Sequence, residues 1–200
     1  MRRHWHYICV ILSCVFCCGC TSPSMRQLEQ LEAQLDSIPD AVRLALDSIP
    51  FASLNDEEQA LYAILRTQAD YKCYVPLITD TLIRYATDFY TGNKKNYRAA
   101  MAWYSVGCGY SELKDDTEAI EAYLQAQSLF PDTTVRYYRL CYQNLGRHYL
   151  NKNMADEALK AYISYYNSTE GCDPHESQHA RPPCSSPTPR VHSDSCPLSR

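Results

Sequence analysis

His148, Ser105 and Ser111 are the residues in the middle of the chain whose types suit hydrolytic or transfer chemistry. A serine nucleophile needs a base to take its proton and an acid to orient that base. His148 follows Arg147 and precedes Tyr149 in a helical pattern, and no acid is positioned beside it in sequence. Neither serine sits in a nucleophile elbow, and there is no glycine-rich phosphate loop. Asp115-Asp116-Thr117-Glu118 could gather as a ligand cluster, yet paired acids opening a helix complement its dipole and read as a cap. Cys73, Cys108 and Cys141 lie in apolar helical contexts, where a thiol behaves as a small hydrophobe, and three at irregular spacing make no disulfide framework. Further on, Cys172, His175, His179, Cys184, His192 and Cys196 have the donor atoms of a metal site. Their spacings match no zinc pattern, and Pro182-Pro183 stiffens the middle. The chain therefore reads as non-enzymatic, with no metal and no cofactor.

The elements that would carry these residues are helices. Between residues 24 and 170 there are 14 Lys and Arg against 20 Asp and Glu, a net of −6, which excludes the basic stripe that nucleic-acid binding needs. Leu28, Leu31 and Leu35 form one stripe, and Ala41, Leu44, Ala45 and Leu46 form a second that opens at Pro39, giving a helical pair over 24–50. Asp-Ser-Ile-Pro brackets the second helix at 36–39 and again at 47–50 and is turn chemistry. Asn55 or Asp56 caps the next helix, which runs through Ala60, Leu61, Ile64, Leu65 and Ala69. Its partner, Leu77 to Tyr90, completes a pair over 55–92 that Gly92-Asn93 breaks. Sixteen of the 17 Tyr lie between residues 62 and 166, suiting a thin helical stack in which rings pack while hydroxyls stay wet.

A tandem pattern follows. Trp103, Val106, Gly107 and Tyr110 on one helix precede Ala119, Tyr123, Ala126 and Pro131 on the next. Small residues there let two helices approach, with Tyr123 as the large knob, and Pro131 stops the second helix. Tyr142, Leu145, Gly146, Tyr149, Ala158 and Tyr162 repeat these spacings 39 residues later. The pattern resembles the tetratricopeptide repeat, with Val for Leu and Tyr for Phe, in units at 97–133 and, incompletely, 136–170. The usual period is about 34 residues, so some five are added, expected to lengthen the helices around Pro131 to Tyr138. The resemblance implies an all-α, antiparallel helical-hairpin solenoid, with 55–92 as a degenerate repeat.

The ends carry other signals. Arg2 and Arg3 precede an apolar run from Tyr7 to Phe16, too short for a bilayer span of about 20 residues and suited to a secretory signal over 1–20. Phe16-Cys17-Cys18-Gly19-Cys20 resembles a bacterial lipobox, which implies lipidation of Cys20 and an envelope location, periplasm-facing or at the outer membrane. Residues 171–200 hold six Pro, six Ser and no aromatic residue, so a disordered tail is expected. The abrupt shift points to a reading-frame change or truncation of a longer ancestor.

The runs from Pro39 to Ile49, Ala60 to Lys72 and Ala100 to Gly107 are similar to the opening of tetratricopeptide proteins common in Bacteroidetes. That likeness implies a scaffold for protein or peptide partners. Its groove positions fall on Met101, Tyr104, Cys108, Ser111 and Glu112, then on Leu140, Gln143, Arg147, Leu150 and Asn151. Tyr104 would stack on a partner, and Gln143, Arg147 and Asn151 would anchor its backbone or carboxylates. Alternatives are a part of an outer-membrane glycan-uptake system, or a non-functional fragment of a longer signalling protein. Tyr162, Ile163, Tyr165 and Tyr166 are expected to leave an open apolar face that favours self-association.

Overall fold

The computed structural model describes residues 22–77, 81–90 and 96–169. The signal segment with Cys20, the Gly92-Asn93 break and the tail lie outside them. Among the described residues the fold is all-helical, with eight α-helices and no strand, in two compact units.

The first unit holds α1 (Pro23–Gln34), α2 (Pro39–Asp47), α3 (Asp56–Lys72) and α4 (Thr81–Phe89). The Ser22 side chain caps α1 by accepting from the Met25 amide at 2.9 Å, and Pro23 fills a first-turn position where no amide hydrogen is needed. The stripe on α1 is buried, with Leu28 at 0% and Leu35 at 5% exposure, against Val42 and Leu46 of α2 and Leu61 and Leu65 of α3. Each such side chain contributes about 1.5–3 kcal/mol by leaving water. Asn55 opens α3 with a reciprocal cap: its side chain accepts from the Glu58 amide, and Glu58 accepts from the Asn55 amide, each at 3.0 Å. The Ser22 hydroxyl donates to the same Glu58 carboxylate, tying the start of α1 to the start of α3. The duplicated Asp-Ser-Ile-Pro turns do more than end helices. Asp36 pairs with Lys72 at 2.9 Å, and Asp47 pairs with Arg66. Asp70 then bridges Arg43 at 2.9 Å and Arg66 at 2.8 Å.

The second unit is built from α5 (Tyr97–Glu112), α6 (Asp116–Leu129), α7 (Arg136–Asn151) and α8 (Ala155–Thr169). Consecutive helices pack as antiparallel hairpins. Asn96 caps α5 through the Arg98 and Ala99 amides, and Asp115 caps α6 through the Glu118 amide at 3.2 Å. A Cβ placed on Gly107 would stand 2.7 Å from the Tyr123 ring, and one on Gly146 would stand 2.7 Å from the Tyr162 ring. Glycine is required at both positions because an aromatic ring occupies the space a side chain would need. Ala119 and Ala126 beside Tyr123 are fully buried.

The added residues fall elsewhere than expected. Residues 130–135 form a non-helical connection and α7 begins only at Arg136. Pro131 pushes Phe130 into an extended conformation (ψ 127°), and Asp132 accepts from the Thr134 amide at 2.8 Å to hold a turn.

Candidate functional site

Antiparallel packing brings the end of α5, the start of α6 and the end of α7 to one end of the second unit. Three side chains meet there. His148 is 2% exposed; its Nδ1 lies 2.6 Å from Asp116 Oδ1 and its Nε2 lies 2.7 Å from Ser111 Oγ. The His148 ring stacks on Tyr123 with centroids 5.8 Å apart. The expectation that no acid orients His148 is corrected: Asp116 does so from 32 residues away. No local signal pairs the two residues. They meet because α6 and α7 run in opposite directions, which sets the first residue of one beside the last turn of the other.

Proton counting defines what the cluster can do. Burial pushes the His148 imidazole below its ordinary pKa; the bond to Asp116 opposes this, and the Arg147 guanidinium, 3.3 Å from Nε2, adds to it. Burial also works to raise the Asp116 carboxyl, but the hydrogen bonds from His148 and Asn151 outweigh it and hold the carboxyl below its usual range. The pair at neutral pH is thus neutral imidazole and carboxylate. Nδ1–H donates to Asp116, and Nε2 accepts the Ser111 hydroxyl proton. Ser111 Oγ also stands 2.7 Å from the Gly107 carbonyl and 3.2 Å from the Tyr123 hydroxyl. If His148 is protonated, both ring N–H groups donate, and Ser111 turns its single proton to Gly107. Tyr123 then has Cys108 Sγ as an acceptor, 3.6 Å away. Both protonation states can satisfy every polar atom, at the cost of a buried charge in one.

The order Ser–His–Asp is that of nucleophile, base and orienting acid. Ser111 Oγ, however, is held by three partners on two other helices and its own, so its lone pairs serve cohesion. The cluster pins α5, α6 and α7 together. Asn151 donates to Asp116 at 2.9 Å and Lys152 to the Thr117 hydroxyl at 2.7 Å, extending the same seam.

The expected groove residues part company. Tyr104 and Cys108 are interior, 4% and 0% exposed, as are Met101 and Leu140. Tyr104 packs edge-on between Tyr123 (5.5 Å) and Tyr137 (5.1 Å), and its hydroxyl accepts from Asn144. Its expected role as a stacking face is corrected: the aromatic layer of the hairpins takes it inward. Ser111 is half-buried and turned to His148, and Glu112 accepts from the Leu77 amide at 3.0 Å. Gln143 and Arg147 are half-buried, while Leu150 and Asn151 are exposed, so α7 alone carries an open row. Burial also raises the Cys141 thiol well above its ordinary pKa; it takes Cys73 to about 11, where a hydrogen bond with Asp40 adds to the rise. Neither is an activated nucleophile. Among the described residues no group of three or more His, Cys, Asp or Glu could hold a metal ion, and no helix is long and apolar enough to cross a membrane.

The chain matches no protein-family model, no curated protein and no solved structure. Its function has to be argued from the geometry above.

Proposed function

We propose that α5–α8 are two tetratricopeptide-type repeats and that the protein is a non-enzymatic scaffold binding peptide or protein partners. The observation that supports this best is the repetition of one hairpin: a glycine on the first helix against a tyrosine ring on the second, 39 residues apart in both partners. Two hairpins that share a seam leave one helix surface open for a ligand, with no need for a closed pocket. In this reading α7 supplies that surface. Gln143, Arg147, Leu150 and Asn151 recur at i, i+4, i+7 and i+8 on one side of it. Gln143 Oε1 is buried with no hydrogen-bond partner, an acceptor suited to a peptide N–H. Arg147 would meet a carboxylate, and Leu150 an apolar side chain. The signal-like N-terminus and Cys20 support an envelope location through a lipid anchor, and the acidic balance argues against nucleic acid.

Selection from a displayed library of random peptides tests the scaffold. An enriched sequence motif is expected, weakened at least about tenfold by Gln143→Ala with Arg147→Ala and unaffected by Leu124→Ser on α6. Failure to enrich any motif, or binding indifferent to the double substitution, would sink this reading.

A further inference from the structure

The 39-residue offset lays α8 on α6 position by position: Leu159 on Ile120, Tyr162 on Tyr123, Ile163 on Leu124, Tyr166 on Gln127. On α6 the face carrying Ile120 and Tyr123 is covered, at 8% and 0% exposure, and α7 is the helix that lies over Tyr123. On α8 the counterparts are open. Leu159 is 60% exposed, Ile163 50% and Tyr166 64%, and Tyr162 is only half-buried. Leu159, Ile163 and Tyr166 recur at i, i+4 and i+7, the spacing of a two-helix seam. The fold itself thus indicates that a helix belongs on this face.

What kind of helix follows from the polar anchors. α7 is fixed on α6 by bonds to Asp116 and Thr117, whose counterparts at the start of α8 are Ala155 and Asp156. Ala155 cannot orient a histidine or accept from an asparagine, so an α7-like helix arriving head-to-tail would lack its main anchor. The seam residues, in contrast, are nearly symmetric about Ile163, with Leu159 four positions before it and Tyr166 three after.

We propose that this face is an interface between two copies of the chain, with α8 packed antiparallel on α8 about a two-fold axis at Ile163. The axis sets Ile163 against the same residue of the other copy, and Leu159 against the partner subunit's Tyr166. Lys160 and Asn167 are exposed and flank the seam. The two copies of Lys160 would lie six positions apart along it, roughly 9 Å at the helical rise. Salt screens exposed charges at about that distance, so their repulsion is small.

Sedimentation of the full chain in mild detergent, over a range of micromolar concentrations, tests this. A dimer is expected. Ile163→Glu sets two carboxylates face to face on the axis and should weaken the dimer at least about tenfold, while leaving helical content by circular dichroism unchanged. Leu124→Glu, at the equivalent exposed position of α6, should not alter it. Mild oxidation should link Ile163→Cys into a covalent dimer well beyond any background from the parent chain, and more than it links Asn167→Cys. A monomeric parent, a concentration-dependent series of larger assemblies, or a dimer indifferent to Ile163→Glu would each overturn the proposal.

Discussion

His148 spends its hydrogen bonds on three helices at once, and its titration should therefore be readable in the stability of the fold. Burial depresses its pKa in the folded state, so the neutral form is the one that folding favours. The sign follows directly. Above the unfolded-state value of about 6.5 the full contribution is present; as pH falls below it, the unfolded chain takes up a proton that the folded chain resists, and stability is lost toward the depressed folded value. Asp116 is depressed as well, so its contribution holds at neutral pH and is lost only in stronger acid. Denaturant midpoints measured from pH 7.5 to 5 should fall for the parent chain. In His148→Gln the midpoint at pH 7.5 should be lower by the loss of the Asp116 and Ser111 bonds, about 1–3 kcal/mol, and the fall toward pH 5 should be shallower. An equal slope in parent and variant would show that some other group carries the acid sensitivity.

At the scale of helices, the close approach of each hairpin rests on a glycine facing a ring, and the two differ in how far the ring can yield. Tyr123 is 0% exposed and shares its hydroxyl with Ser111 and Cys108, whereas Tyr162 is half-buried. Alanine gains about 1 kcal/mol over glycine in helix propensity, but overpacking costs typically 1–3 kcal/mol. Gly107→Ala should therefore destabilise the second unit, and Gly107→Leu should unfold its first hairpin. Gly146→Ala should cost less, because Tyr162 can swing toward solvent. Gly109, one turn-half from Gly107, has nothing within 4 Å of where its Cβ would stand. Gly109→Ala should raise the melting temperature. Thermal unfolding of the three alanine variants gives the ranking, and a Gly107→Ala variant as stable as Gly109→Ala would remove the close-approach argument at its centre.

For the chain as a whole, the proposed scaffold role depends on where it is held, and that rests on Cys20, which lies outside the described residues. If Cys20 carries the lipid, metabolic labelling with a fatty acid should mark the parent protein and leave Cys20→Ala unmarked, as an uncleaved or unlipidated precursor. Equal label in the two would move the anchor to another cysteine or abolish it. The described thiols are poor substitutes: Cys108 and Cys141 are fully buried, and Cys73 is half-buried with its thiol pushed up to about 11.

Local chemistry in the sequence was enough to place most helices. Leu28, Leu31 and Leu35 recur at helical spacing, Asn55 and Glu58 form a reciprocal cap three residues apart, and Pro131 ends α6 by lacking an amide hydrogen. Each of these signals is written within a turn or two of chain, where backbone geometry alone decides which residues face each other. Gly107 and Tyr123, and Gly146 and Tyr162, were legible for a related reason, since a repeated spacing reports a repeated contact. The direction of individual side chains was decided by tertiary packing. Tyr104 and Cys108 went inward because the tyrosines of α5, α6 and α7 form one aromatic layer, and five extra residues entered a loop because Pro131 forbade a longer helix. The meeting of Ser111, Asp116 and His148 belongs wholly to that level. Separations of 37 and 32 residues carry no hydrogen-bonding information until two hairpin turns reverse the chain and set three helix ends side by side.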